Sequence, residues 1–169
     1  NIIFFLIGTL IIINSFDLFD DIIFFISITS LPLILSFLIF NFPKPKLFFG
    51  DSGSIPVGFL IGYILVYLFS LKIYLPALFL FLYPILDITI TLIDKIIFRK
   101  KAPWERLFDY FFLKPVVNKK KGHEFMFLNM FVINSSNLLF LVIYLYSKNV
   151  IFFLAAALTN ILFLFYFSK

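Results

Sequence analysis

Gly50-Asp51-Ser52-Gly53-Ser54 is a short polar stretch between two long apolar runs, residues 22–41 and 55–71. A helix that crosses the hydrocarbon core of a membrane needs about 17 to 25 apolar residues, and both runs have that length. The polar stretch between them therefore predicts a loop at one membrane surface. The three segments together predict a helical hairpin that crosses the membrane twice.

The composition of the whole chain extends this prediction. Hydrophobic residues make up 63% of the 169 residues, and the mean hydropathy is +1.11, whereas about half of a soluble domain is apolar. Apolar runs cover residues 2–13, 22–41, 55–71, 74–98, 125–146 and 150–167. The last five have spanning length and the first is short. We predict an all-α, polytopic transmembrane bundle of about six spans that forms a single membrane domain over residues 1–169.

The start of the chain leads to a second expectation. Asn1 stands directly before an apolar run, with no basic segment and no small-residue cleavage site. This pattern is typical of neither a signal peptide nor a natural start. We therefore expect a chain truncated at its N-terminus.

The basic residues predict the orientation of the bundle. Eight of the 14 Lys and Arg residues lie between Arg99 and Lys121, and cytoplasmic loops are enriched in Lys and Arg. Because consecutive spans alternate sides, loops 43–54 and 99–124 are both predicted to be cytoplasmic. Asp51 and His123 then share one face of the membrane. The opposite face carries Lys72, Lys148 and three aspartates that we interpret as solvated caps: Asp17, Asp20 and Asp21.

Asp51 and its neighbours have two interpretations. Gly50 and Gly53 allow positive φ, and Ser54 is placed to be the N-cap of a helix that starts at Ile55. A helix N-terminus attracts phosphate, and a nearby carboxylate is compatible with that phosphate if a cation lies between them. Because the chain has no Cys and only one His, any metal must be held by oxygen, which favours Mg²⁺. The alternative is an ordinary capped turn.

Two further polar features are candidates for function. Asp87 lies deep in the run 74–98, with Thr91 one turn further on, and a carboxyl at that depth usually faces the interior of a bundle or a watery cavity. Asp87 could equally be a hydrogen-bond partner for a neighbouring helix. The basic loop 99–124, which contains Lys121 and His123, could bind lipid headgroups or a diphosphate. Its charge is also explained by membrane orientation alone, and His123 could be incidental.

The residues around Asp51 resemble a known family. Asn41 and Pro43, followed by Phe48-Phe49-Gly50-Asp51-Ser52-Gly53-Ser54 and then Gly58, resemble the signature N-x-x-P-A-x-x-F-x-G-D-x-G-S-x-x-x-G of the polyprenyl-phosphate N-acetylhexosaminyl-1-phosphate transferases. These enzymes, of the glycosyltransferase family 4 type, make the lipid-linked sugars of peptidoglycan, O-antigen (lipopolysaccharide) and teichoic acid. Pro84-Ile85-Leu86-Asp87, followed by Thr89, resembles the P-x-x-D-T helix of the same family.

The resemblance implies a reaction, a metal and a set of partners. Polyprenyl phosphate attacks the β-phosphorus of a UDP-sugar, UMP leaves, and Mg²⁺ (or Mn²⁺) is required. Asp51 is the implied catalytic and metal-binding residue. The implied substrate-binding residues are Asn41, Gly50, Ser52, Gly53, Ser54, Lys121 and His123. The implied setting is the bacterial inner membrane, with the active-site loops in the cytoplasm and no nucleic acid as a partner, and a homo-oligomer is left open.

The chain also departs from the family. The family's Asp-Asp and Asn/Asp-Gly motifs have no counterpart here, and by parity they belong upstream of Ile2. Lys44 stands where Ala is usual, and His123 is alone where two or three histidines are common. We therefore expect the C-terminal half of such an enzyme, inactive by itself. The alternative is a non-enzymatic membrane bundle, such as a transporter fragment or an assembly partner, with Asp87 as its buried polar site.

Overall fold

The computed structural model describes residues 1–19, 21–42, 46–47, 49–98, 100, 102 and 122–168. These residues form only helices, so the all-α prediction is confirmed for the described part of the chain. The helices are α1 (Ile2–Phe16), α2 (Ile22–Asn41), α3 (Gly50–Ser70), α4 (Tyr74–Ile93) with a π-helical turn at its end (Asp94–Phe98), α5 (His123–Ser147) and α6 (Ile151–Ser168).

Four of these helices are long and apolar enough to cross a membrane. They are Ile22–Asn41, Gly50–Ser70, Tyr74–Ile97 and Glu124–Ser147. The apolar helices Ile2–Phe16 and Ile151–Tyr166 are shorter. The short first helix agrees with the sequence. Helix α6 has 18 residues in all, and its crossing of the membrane stays a prediction. The protein is a multi-pass membrane protein, and a total of six spans stays a prediction.

The helices run up and down, so the bundle has two distinct ends. At the Asp51 end, where α2 ends and α3 and α5 begin, the rings of Phe42 and Phe127 lie 4.3 Å apart, centroid to centroid. At the Lys148 end, where α1, α3 and α5 end, the Nζ atom of Lys148 lies 4.9 Å from the ring centroid of Phe16. The predicted placement of Asp51 and the start of α5 at one end agrees with these contacts.

The core lies mainly between α1, α4, α5 and α6, and α4 is its centre. This helix packs against α1, α3, α5 and α6, whereas α2 packs chiefly on α1. Buried apolar side chains such as Leu6, Leu82 and Leu141 fill the space between them. Large side chains on α2 and α3 point outward, and Ile39 and Phe59 are both 76% exposed. Such outward apolar side chains are suited to contact lipid.

Two helix boundaries differ from the predicted ones. Helix α3 begins at Gly50 instead of Ile55, with Phe49 as its N-cap, so the predicted N-cap role of Ser54 is wrong. Glycine and serine favour turns in isolation, but here they form the first turn of a helix that is stabilised by the apolar run that follows. Helix α1 continues to Phe16, and the Oγ atom of Ser15 donates back to the carbonyl of Ile11 (2.9 Å).

The predicted cap ahead of α2 is confirmed in position. Asp21 is the N-cap residue of α2 with extended backbone angles, although its side chain makes no capping hydrogen bond. Its carboxylate lies close to the side chain of Tyr67, near the end of α3. Asp21 and Tyr67 therefore lie at the Lys148 end, away from Asp51. Asp20 lies outside the described residues.

Candidate active site at the Asp51 end

Asn41, the last residue of α2, organises the chain that leads to Asp51. Its Oδ1 atom accepts hydrogen bonds from the backbone N–H groups of Lys46 (3.0 Å) and Leu47 (2.9 Å). One side-chain oxygen thus satisfies two backbone donors of the loop. The sequence marked Asn41 as a substrate-binding residue. The structure gives its side-chain oxygen a local task, which is to hold the loop against the end of α2.

Phe49 fixes the start of α3. Its ring packs edge-on against Phe37 of α2, with the ring centroids 4.7 Å apart. The same ring lies under Gly53, where an added Cβ would come within 3.1 Å of the ring carbons. Gly50 follows with φ +59°, a left-handed conformation that costs other residues about 1–2 kcal/mol. Gly50 is therefore needed for the backbone turn, and Gly53 for the close approach of Phe49.

Asp51 lies in the first turn of α3 with its side chain exposed, as do Ser52 and Ser54. No side chain caps this helix start. The N–H of Gly53 already donates to the carbonyl of Phe49 (3.2 Å). The amides of Gly50, Asp51 and Ser52 precede that bond, at positions where an α-helix has no internal partner. The predicted anion site at this helix start therefore consists of these three amides, with the Asp51 carboxylate beside them.

The other predicted binding residues belong to the loop before α5. His123 is the first residue of α5, at the Asp51 end, and Glu124 follows it in the first turn. The contact between Phe42 and Phe127 places this helix start against the end of α2. Lys121 lies outside the described residues. The structure thus brings the starts of α3 and α5 to one end of the bundle.

The described residues contain no group of three or more His, Cys, Asp or Glu side chains that could hold a metal ion by themselves. Asp51 is one exposed carboxylate next to backbone amides. Such an arrangement can bind a hard cation only together with oxygens from another source, such as substrate phosphates or water. A single carboxylate is a normal contribution to an Mg²⁺ site of that kind.

Asp87 and Thr91 lie on α4 and not on the helix start that carries Asp51. Asp87 is 4% exposed in the middle of α4, as expected for a carboxyl in a transmembrane helix. One turn before it, Tyr83 packs between Ile133 of α5 and Leu164 of α6. The hydroxyls of Tyr83 and Thr91 are buried and have no hydrogen-bond partner among the described residues. Asp87 lies about 9 Å by helix rise from the last residue of α4, Ile93, whereas Thr91 is only two residues from that end.

Several buried polar residues were not found from the sequence. Asn137 of α5 and Asn160 of α6 exchange side-chain hydrogen bonds of 3.2 and 2.6 Å. Asn134 donates to Asn1 (2.7 Å), and Lys95 is only 8% exposed in the π-helical turn. Asparagines inside otherwise apolar runs are the signal that could have indicated the α5–α6 pair.

Taken together, these features describe a multi-pass membrane bundle with an acidic, glycine-containing helix start at one end. The first 69 of the 169 residues match the model of glycosyl transferase family 4. This part of the chain, which contains Asn41 and Asp51, is therefore similar to the membrane transferases of that family. No curated protein and no solved structure gives a significant match to the chain.

Proposed function

We propose that this chain contributes to the transfer of a sugar-1-phosphate from a UDP-sugar, an N-acetylhexosamine derivative, to polyprenyl phosphate. The observation that carries the proposal is the start of α3, where Asp51 lies beside three backbone amides that have no partner within the helix. This helix start lies within the residues that match the family model. Amides of this kind favour a phosphate, and the carboxylate favours a cation. Transfer of a sugar-1-phosphate from a diphosphate to a lipid phosphate needs both a phosphate site and a cation site.

In the proposed reaction, an oxygen of the lipid phosphate forms a bond to the β-phosphorus of the UDP-sugar. The bond between that phosphorus and the bridging oxygen breaks, and UMP leaves with the bridging oxygen and its electron pair. A phosphate monoester is largely doubly ionised at neutral pH, because its second pKa is about 6. The attacking oxygen therefore carries no proton that must be removed, so Asp51 is not required as a base. Charge neutralisation and alignment are the tasks left to the protein.

Asp51 fits the Mg²⁺ that this reaction would use. A single exposed carboxylate is one ligand of a site completed by phosphate oxygens and water. A bound Mg²⁺ supplies neutralisation of the diphosphate charge. The amides of Gly50, Asp51 and Ser52 would orient a phosphate next to it. Asn41 acts as a positioning residue, because its side chain holds the loop that leads into the site.

A groove between α2 and α3 suits the polyprenyl chain. It encloses about 530 Å³ and is lined mainly by apolar side chains, including Ile26, Phe59 and Leu60. It reaches Pro56, five residues or about 7.5 Å along the helix from Asp51. Thr29, which also lines it, directs its hydroxyl to the carbonyl of Phe25 (2.6 Å). The groove wall is therefore compatible with an isoprenoid chain whose phosphate is near Asp51.

The proposed setting is the bacterial inner membrane, with the Asp51 end in the cytoplasm. Support comes from the basic residues between Arg99 and Lys121, which precede the start of α5 at that end. Positive residues are concentrated on the cytoplasmic side of membrane proteins. The product would serve cell-envelope polysaccharide synthesis.

The proposal is tested by measuring product formation with membranes from cells that express the complete reading frame containing these residues. UDP-N-acetylglucosamine and polyprenyl phosphate should yield UMP and a lipid-linked sugar in equal amounts, only when Mg²⁺ is present. Omission of polyprenyl phosphate should stop UMP release. UMP release that does not depend on the lipid, or no product with any UDP-N-acetylhexosamine, would contradict the proposal and favour a non-enzymatic bundle.

A further inference from the structure

A cavity lies at the Lys148 end of the bundle, opposite the candidate active site. It encloses about 560 Å³ between the end of α1, the turn from α3 to α4 and the end of α5. Apolar and aromatic side chains form most of its wall, among them Phe16, Leu71, Tyr74 and Tyr144. Two lysines, Lys72 and Lys148, complete the lining. The cavity is therefore an apolar space with two cations at its edge.

Both basic residues of the connections at this end line the cavity. The three connections at this end, residues 17–21, 71–73 and 147–150, contain only two basic residues, and both line the same cavity. No ion pair joins either ammonium group to a carboxylate within the described part of the chain. The ammonium group of Lys148 lies 4.9 Å from the centroid of the Phe16 ring, which keeps it at the rim of the cavity. Lys72 and Lys148 are the charged residues among the described residues that line the cavity, which favours an anionic ligand, although Asp17 and Asp21 lie at the same end.

The backbone is left-handed at both lysines, as it also is at Asp17 at the end of α1. Lys72 has φ +61° and Lys148 has φ +53°. Glycine or asparagine is the usual residue in this left-handed conformation at the end of a helix, because a longer side chain costs about 1 kcal/mol or more there. The chain nevertheless has lysine at both positions. The first turn of α4, which also lines the cavity, has no side-chain cap and adds backbone donors.

The surroundings point to a lipid as the source of the anion. The cavity lies where four apolar helices end or begin, at the level of a membrane surface. Tyrosines such as Tyr74 and Tyr144 are typical of that level, and lysine side chains reach from it toward headgroups. An anionic phospholipid could place its phosphate between the two ammonium groups and part of an acyl chain against the apolar wall.

We propose that the cavity between Phe16, Tyr74 and Tyr144 binds an anionic phospholipid, with the lipid phosphate held by Lys72 and Lys148. This site lies at the opposite end of the bundle from Asp51. The inference does not rest on the proposed transferase function, and the two can fail separately.

The test uses a fluorescent reporter at the cavity. Because the chain has no cysteine, Leu71→Cys provides a single attachment point for bimane on the cavity lining. The labelled chain is placed in vesicles of phosphatidylcholine mixed with brominated phosphatidylglycerol, and then in the converse mixture. Quenching should be stronger when phosphatidylglycerol carries the bromine than when phosphatidylcholine does, which shows a preference for phosphatidylglycerol at residue 71. The preference should be up to about fivefold for each lysine, because a basic residue near an anionic surface contributes about 1 kcal/mol.

Matched variants separate the lysine pair from general charge. The preference should fall to about one in Lys72→Gln/Lys148→Gln and persist in Lys72→Arg/Lys148→Arg, which keeps both charges. It should also persist in Lys46→Gln, which removes an exposed lysine at the other end. An equal preference in the Gln pair and the parent chain would overturn the proposal. Loss of the preference on addition of inorganic phosphate would also overturn it, because the ligand would then be a soluble anion.

Discussion

The start of α3 and the pair α5–α6 use polar residues in opposite ways. At the start of α3, Asp51, Ser52 and Ser54 are exposed on a helix that packs weakly against the rest of the bundle. In the pair α5–α6, Asn137 and Asn160 are buried and bond to each other. The first arrangement leaves polar groups available to a ligand, whereas in the second the polar groups hydrogen-bond to each other between helices.

The comparison teaches that burial alone does not indicate function in this bundle. A polar group in lipid needs an internal partner, so buried asparagines stabilise helix pairs. An exposed carboxylate beside free amides at a membrane surface has no such structural need. Changes at the start of α3 should therefore alter activity while stability is kept, and changes in the α5–α6 pair should do the reverse.

The largest effect is expected for Asp51→Asn. The change removes the charge that would hold the cation, and the rate of UMP release should fall about 10²-fold or more, as it does when one charge-stabilising group of an active site is lost. Unfolding by detergent titration should be unchanged, because the side chain is exposed. Asp17→Asn makes the same chemical change at the Lys148 end and should keep full activity. A similar loss in both variants would break the comparison.

A smaller effect is expected for Gly50→Ala. Alanine at φ +59° costs about 1–2 kcal/mol, so the start of α3 should shift and the rate should fall up to about tenfold. Gly62→Ala is the matched control within the same helix, since its added Cβ meets no atom within 4 Å. The control should keep its rate and gain up to about 1 kcal/mol in helix stability. Equal rates in the two variants would show that the turn at Gly50 is not needed.

Asn41→Ala tests the loop that precedes Asp51. The variant loses the acceptor for the N–H groups of Lys46 and Leu47, with a cost of about 1 kcal/mol at this exposed site. A positioning role predicts a lower kcat with the KM for the UDP-sugar nearly unchanged. A raised KM with an unchanged kcat would instead assign Asn41 to substrate binding, as the sequence suggested.

The smallest effect concerns Asn137→Leu, which removes the partner of Asn160. The free energy of unfolding in mixed micelles should fall by about 1 kcal/mol or slightly less, the usual size for a hydrogen bond between membrane helices. UMP release should be unaffected. Asn137→Leu/Asn160→Leu should recover most of the stability, since no amide is then left without its partner. A loss of activity without a loss of stability would reverse the comparison.

The sequence predicted the helices well because long apolar runs have one stable form in lipid, which is a helix. It also placed Asp51 and the start of α5 at one end, because consecutive spans alternate between the two sides of the membrane. The exact start of α3 was not predictable in the same way. Glycine and serine around Asp51 favour a turn locally, and the packing of Phe49 on Phe37 shows why the helix begins earlier.

The polar interior was predicted only in part. Asp87 was recognisable because a carboxyl in an apolar run is conspicuous, and it is buried. Asn137 and Asn160 are 23 residues apart and meet only through the packing of α5 on α6, which no local pattern describes. Lys95 was not predicted to be buried, but the π-helical turn places it in a buried position. A change of helix type of this kind is set by packing and not by hydropathy.

Binding of Mn²⁺, measured by the loss of its free electron paramagnetic resonance signal, tests the central claim most directly. If Asp51 and a substrate diphosphate hold the cation together, the protein should bind Mn²⁺ tightly only when UDP-N-acetylglucosamine is present. Asp51→Asn should lose this substrate-dependent binding, and Asp17→Asn should keep it. Substrate-dependent binding that persists in Asp51→Asn would contradict the claim that the start of α3 is the metal-binding part of the site.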